Sequence, residues 1–498
     1  MESRFNLVDD LWIPTADRGL VSLKQIFSDT SLPALGGTPV QKLALMKLLL
    51  AIAQAAATPA NESDWRELKA DGLARKCLAY LDKWHAHFSL YGARPFLQMP
   101  AIKVAKTQPY GAVLPEVSTG NTTVLSQIQI EKKLTDADRA LVLLTLMAFA
   151  LSGKKTDNSV VLTKGYRGKT NDRGKPATGK SGPAVAHLGL LHTHLVGHDL
   201  QTTLYLNLLT QEQIMAMAIY PEGVGIPPWE QMPEGEDCPA ASALKGSLMG
   251  RLIPMSRFCL LSEASLHYSE GLAHTGYKEG GCDPTIAVNN TGKEPKALWV
   301  DPEKRPWREL TGLLSFLAQE QSQGFQCRQL TATMNRVRGI CPRIGIWSGG
   351  LRVSSNAGEQ YVSGSDDAVE SLIWFDSASL GEEWFGWLKI ETDALEQLAK
   401  TLYSCVVGFF KELKVDGSKR AAQATQLFWQ LCERDFQALV HQCEQEAQRL
   451  RLRRRFASYV QQAFDDCCPY QTSRQLEAWA KCRPNLAKYL KNSTSQEA

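Results

Sequence analysis

The chain has 498 residues, a formal net charge of +3, 44% apolar residues and 21% charged residues, the composition of an ordinary soluble globular protein of about two or three domains. So small a net charge leaves nucleic-acid binding to local basic stretches, and the opening MESRFNLVDDLWIP lacks the basic region and apolar run of a secretory signal. The longest apolar stretch, Leu43–Ala57, is interrupted by Lys47 and Gln54 and reads as a buried helix rather than a membrane span.

Residues 5–13 predict a short strand. Residues 38–56 predict a helix with Leu43, Leu45, Leu48, Leu49 and Ile52 at roughly helical spacing, and further helices cover 64–90 and 136–151. Gln201–Leu209 is threonine-rich with alternating polarity, which predicts a strand. Five prolines, at 221, 227, 228, 233 and 239, predict an exposed loop over 220–242. Between 296 and 385 strands mix with a helix over 307–321, and Arg343–Trp347 and Leu372–Phe375 read as strands flanking a polar, glycine-rich excursion.

The pattern turns helical near residue 386. Asp393-Ala-Leu-Glu396 resembles a capping box, and Leu395, Leu398, Leu402, Val406, Phe409 and Leu413 form an amphipathic stripe. Gly417 and Ser418 break it before a second helix through Leu427, Phe428, Leu431 and Phe436. A third helix covers roughly 437–465 and a fourth 472–490. The expected fold is α+β: a large mixed N-terminal domain, 1–385, followed by a C-terminal antiparallel four-helix bundle, 386–498.

Several constellations invite a chemical reading. Gly174-Lys-Pro-Ala-Thr-Gly179-Lys180-Ser181 matches the phosphate-binding loop, which would make the chain a nucleotide-dependent enzyme. That loop needs a buried strand before it, whereas residues 164–173 are polar and glycine-rich; Ser371–Asp376, which imitates the acidic metal-binding strand, lies far off in sequence. What remains is charge: Lys154, Lys155, Lys164, Arg167, Lys169, Arg173, Lys175 and Lys180 oppose only Asp157 and Asp172. A basic, glycine-rich segment suits either a phosphate-lined groove or a solvated surface loop.

His192-Thr-His194, His198-Asp199 and His85-Ala-His87 read as strand and turn histidines, because no further ligand or acid is fixed around them. Twelve cysteines include no C-x-x-C pair, which predicts reduced cytoplasmic thiols and no structural zinc. Gly349–Gln360 has the Ser, Asn and Gly content of a hairpin tip. Within the run Arg449, Arg451 and Arg453–Arg455, Arg451 and Arg455 lie one turn apart with Arg454 close by, so that part of the run gives a helix a basic face, either solvated or in contact with a partner. No nucleophile signature or paired-carboxylate arrangement is present, so no catalytic residue, cofactor or metal is predicted.

Taken in order, these segments resemble the CasA family, the large subunits of the type I-E CRISPR complex Cascade. The similar segments are Phe5–Pro14 (FNLVDDLWIP), Arg94-Pro-Phe-Leu-Gln98, Gly197-His-Asp-Leu200 and Leu206-Asn-Leu-Leu-Thr210. The resemblance implies a subunit that reads a protospacer-adjacent motif in double-stranded DNA, starts strand separation and recruits a helicase–nuclease. Its implied partners are a guide RNA, target DNA and other Cascade subunits, with no membrane.

Carried over by position, the family's glycine loop falls on Thr178, Gly179, Lys180 and Gly182, and its minor-groove lysine on Lys278. Its wedge falls on Ser354, Ser355 and Asn356, and its guide-RNA and subunit loop on Thr119, Gly120, Asn121 and Thr122. The chain departs from the family pattern in having Thr-Gly-Lys where consecutive glycines are usual and Ser-Ser-Asn where Asn-Gln stands at the tip. It also lacks the cysteine cluster that some members carry before the lysine.

Overall fold

Thr38, Pro39 and Gln41 begin the first long helix, α1 (Pro39–Ala57), through a reciprocal cap: the Gln41 amide donates to the Thr38 hydroxyl and the Thr38 amide to the Gln41 side chain. Proline costs nothing there, since a first-turn amide has no partner in the helix. Burial extends round most of α1 and takes in Lys47 and Gln54. By length and composition alone this helix passes as a membrane span, but 72% of its most apolar window is buried inside the protein. It is the core helix on which α2 (Glu62–Trp84) and α3 (Asp136–Ala148) pack.

The computed structural model describes residues 4–113, 133–148, 189–280, 283–318, 324–337, 339–352 and 368–491. The chain forms two compact units, Met1–Trp307 with Gln323–Leu372, and Arg308–Ser322 with Ile373–Ala498. The first mixes helices with small two- and three-stranded sheets. The sheet that matters below is antiparallel between β1 (His192–Val196) and β2 (Arg343–Leu351), with β3 (Ala368–Asp376) on the other side of β2. Trp347 lies opposite His194 and Gly349 opposite His192.

Several elements differ from the sequence expectation, each for a physical reason. The strand expected over 201–209 is helical through Asn207: α4 (Leu200–Asn207) starts on Asp199, whose carboxylate accepts from the Thr202 amide at 2.6 Å. Every residue of α4 is buried, so no amphipathic period marks it. The strand expected over 5–13 is two short ones, Arg4–Asn6 and Ile13–Thr15. Among the described residues of the helix expected over 307–321, that is 307–318, the chain forms a series of short turns, with α-helix only at Leu310–Leu313. Within 220–242, Pro227, Pro228 and Trp229 are buried rather than exposed.

The second unit is dominated by α5 (Glu382–Glu412), α6 (Ser418–Gln442), α7 (Glu446–Cys467) and the short α8 (Ser473–Cys482). α5 packs on α6, α7 and α8, and α6 packs on α7. α5 starts before the Asp393 box, because Trp384, Phe385 and Leu388 extend the buried stripe back to Gly381. The helix expected over 472–490 is interrupted after Cys482, where Pro484 cannot continue it, and resumes for one turn at Ala487–Leu490. The Trp384 indole donates to the Val440 carbonyl at 2.9 Å, joining the start of α5 to the end of α6.

Arg449 and Arg453 of the arginine run on α7 face inward, while Arg451, Arg454 and Arg455 form its exposed basic face. Arg453 donates to both oxygens of Glu391 at 2.9 and 2.6 Å, and that carboxylate's side chain is 1% exposed. Arg449 lies 3.8 Å over the Trp387 ring and donates to the Cys443 carbonyl. Arg455, although exposed, pairs with Asp435 at 2.8 Å.

Candidate nucleic-acid interface

Three stretches remote in sequence meet at one end of the β1–β2 pair. β1 is entered through Gly189 and Leu190, and β2 ends nearby at Leu351. Gly350 packs so tightly that a Cβ there would stand 2.9 Å from the Leu190 carbonyl oxygen and 2.7 Å from Val300. Gly349 is crowded in the same way by Trp347 and the Val369 carbonyl, so the Gly349-Gly350 pair is a packing requirement. Leu190 bridges Trp299 and His192 bridges Ile286. Leu190, Tyr277, Ile286, Val288 and Ala297 then close into one apolar cluster.

Lys278 stands on this cluster. Its neighbour Tyr277 is buried, while Lys278 itself is exposed on a single 3-10 turn, Tyr277–Glu279. Gly280 closes the turn at φ +85, a left-handed conformation that a side chain would strain. A buried aromatic base and a glycine hinge thus hold out one flexible cation. That arrangement suits contact with an anionic surface.

Beneath the same sheet end runs a buried polar chain. The Lys47 ammonium donates to both Asp283 oxygens at 2.7 Å. Asp283 also accepts from the Thr285 amide and hydroxyl at 2.9 and 2.7 Å. Because that hydroxyl donates to Asp283, it accepts from Nδ1 of His192, 2.7 Å away. Burial pushes the Asp283 carboxyl up, but Lys47, His192 and these hydrogen bonds outweigh it and hold the carboxyl down at about 2. A second chain runs through β2: the Trp347 indole and Lys42 both donate to Glu370, each at 2.7 Å, and the His194 ring stacks on Trp347 with centroids 4.8 Å apart. Burial, then Lys47 and His192, hold His194 neutral, its pKa down at about 3.

Sequence reasoning missed both networks, although Lys47 inside an apolar run was itself a signal, since a buried ammonium requires an acid. The histidines it weighed are structural. His192 and His194 are buried, His85 pairs with Asp9 at 2.6 Å, and His198 pairs with Asp199 at 2.8 Å before a helix rather than a strand. Among the described residues no group of three or more His, Cys, Asp or Glu side chains is placed to hold a metal ion. Asp376, the acid of the imitation metal-binding strand, belongs to a sheet whose β1–β2 pairing is antiparallel, unlike the parallel frame of a phosphate-binding loop.

Of the predicted site residues, only Lys278 falls among the described ones. Thr178, Gly179, Lys180 and Gly182, Ser354, Ser355 and Asn356, and Thr119, Gly120, Asn121 and Thr122 lie outside them, as does the 174–181 motif.

The segments that carry the resemblance are structural. Asn207 accepts from the Leu195 amide at 3.0 Å and returns a bond to its carbonyl at 2.8 Å, clamping α4 to β1. Thr210 caps the next helix, Gln211–Ala216. The Gln98 side chain accepts from the Leu261 amide and donates to the Leu90 carbonyl. The buried Trp12 indole donates to the Leu7 carbonyl at 2.9 Å.

A family model described as CRISPR-associated protein Cse1 matches residues 6–466. The chain is 29% identical over 168 residues to CRISPR-associated protein CasA/Cse1 of Thermus thermophilus, a match that covers 30% of this chain and 32% of that relative. Its fold is similar to the crystal structure of CasA from Thermus thermophilus, with a TM-score of 0.74 at 20% identity over 98% of this chain and 99% of that chain. It is also similar to a chain of a CRISPR RNA-guided surveillance complex, with a TM-score of 0.68 at 14% identity over 98% and 99% of the two chains.

Proposed function

Because this chain belongs to the CRISPR-associated Cse1 family, we propose that it is the large subunit of a cytoplasmic type I-E Cascade and binds DNA without catalysing a reaction or holding a cofactor. In this reading sequence recognition is left to base pairing with a guide RNA, and the protein checks a short protospacer-adjacent motif in the duplex. Lys278 enters the minor groove, whose degenerate pattern suits a permissive motif. The glycine loop at Thr178, Gly179, Lys180 and Gly182 contacts the same duplex, and Ser354, Ser355 and Asn356 start strand separation. Thr119–Thr122 meet the guide RNA and a neighbouring subunit. The C-terminal helices act as an antiparallel four-helix bundle that docks other Cascade subunits, and the assembled particle recruits a helicase–nuclease.

The observation that carries this reading is the meeting of 189–192, 277–280, 283–288 and 349–351 at one sheet end, with Lys278 held out from a buried base. The test is duplex binding by the reconstituted complex carrying Lys278→Ala, Lys180→Ala or Ser355→Ala. Lys278→Ala is expected to cost about 1–3 kcal/mol of binding and to change motif preference. Unchanged affinity and preference in all three variants would refute the site.

A further inference from the structure

A guanidinium stays charged at any physiological pH, so one taken out of water without a counter-charge is strongly unfavourable unless a ligand supplies it. Arg251, on the short helix Met249–Leu252, is 9% exposed. Among the described residues its side chain makes no hydrogen bond or ion pair. Its Nε is sealed from solvent without a partner.

Among the described residues, the groups around Arg251 do not neutralise it. Lys245 is a second cation, and Glu236 is already engaged by Lys245 and by the Ala273 amide. His274 is buried and contributes no charge: burial and then Arg251 hold its pKa down at about 3. Its Nε2 donates to the Pro254 carbonyl at 2.6 Å, and its Nδ1 is left without a partner.

We propose that Arg251 is an anion seat that takes a phosphate oxygen of bound nucleic acid. The helix bearing it abuts the loop 271–276, since a Cβ on Gly250 would stand 3.1 Å from Cε1 of His274. That loop runs directly into the Lys278 turn. A phosphodiester held at Arg251 would therefore lie beside the lysine proposed to enter the groove, and in this the inference rests on the DNA reading above.

The test has two arms. In the full chain alone, inorganic phosphate replacing chloride at constant ionic strength raises the Tm of the wild type. Arg251→Gln abolishes that rise and leaves the phosphate-free Tm unchanged or higher, because an unpaired cation has been removed; Arg251→Lys keeps part of the rise. In the assembled complex, Arg251→Gln weakens duplex binding roughly tenfold and lowers the slope of log affinity against log salt by about one. A phosphate-free Tm that drops sharply in Arg251→Gln overturns the inference, as does a phosphate response like that of the wild type. A lost phosphate response with unchanged duplex affinity and salt slope overturns the nucleic-acid assignment. If Arg251→Gln behaves as expected in both arms while Lys278→Ala and Lys180→Ala are silent, the seat stands and the groove-reading lysines do not.

Discussion

Replacing Lys47 with methionine keeps the aliphatic stem and deletes only the ammonium, so it isolates the buried charge beneath the sheet end. The Lys47 side chain is 2% exposed and that of Asp283 10%, and the ammonium reaches both carboxylate oxygens at 2.7 Å. Removing one partner of such a pair costs about 3–5 kcal/mol, mostly through the charge left behind. Asp283 keeps two hydrogen bonds from Thr285, which places Lys47→Met near the lower end, about 3 kcal/mol. Lys47→Met with Asp283→Asn removes both charges and preserves an acceptor for Thr285. The double variant is expected within about 1 kcal/mol of the wild type, a non-additivity that a double-mutant cycle measures directly. Urea denaturation of the full chain, followed by tryptophan fluorescence, reads the cycle. A cost below about 1 kcal/mol for Lys47→Met, or a double variant no more stable than the single, would refute the assignment of a charge-balanced buried pair.

Acid should destabilise the first unit before its carboxylates are protonated. His194 and His274 sit at about 3 in the folded chain against an ordinary 6.5, so the unfolded chain takes up protons first. Stability is then complete above roughly pH 6.5 and falls toward pH 3, by about 2 kcal/mol per histidine at pH 5; equal urea midpoints at pH 7 and pH 5 would contradict this. In the second unit, Arg453→Met removes the bidentate partner of the buried Glu391, which among the described residues keeps only Arg449 at 3.9 Å, and should cost about 3 kcal/mol, whereas Arg451→Ala on the exposed side should stay within about 0.5 kcal/mol by thermal denaturation. Gly280→Ala meets no neighbouring atom within 4 Å, so its cost is backbone strain alone, about 1 kcal/mol. It should also weaken duplex binding by disturbing the Lys278 turn.

The family was legible in the sequence because its recurring segments carry structural work. Asp199 and Thr210 cap helices, Asn207 and Gln98 satisfy backbone groups of neighbouring strands, and Trp12 fills the core. Such duties demand particular side chains at fixed spacing. The helical C-terminal part was legible through its stripe, although its first boundary fell too late because the buried Trp384 and Phe385 precede the capping-box pattern. α4 was misread because total burial erases periodicity, and its threonines counted toward a strand. Lys278 is assigned only by position, since nothing in Gly276-Tyr-Lys-Glu279 announces a turn with a buried tyrosine base. Arg251 gave no signal at all, because a missing counter-charge is a property of three-dimensional surroundings.

The same reasoning explains how a nearly neutral chain could carry the proposed cationic site. Many of its cations are already matched: Lys42 with Glu370, Lys47 with Asp283, Arg336 with Glu62, Arg308 with Glu396 and Arg453 with Glu391. A paired, desolvated cation offers little to a passing phosphate, because its field is cancelled within a few ångströms and its donors are committed. Net charge counts these groups equally with Lys278 and Arg251, yet the work they do is internal: they hold helices and strands in register. In the reading proposed here, the attraction a phosphate feels comes from cations outside these pairs, Lys278 and Arg251 among them.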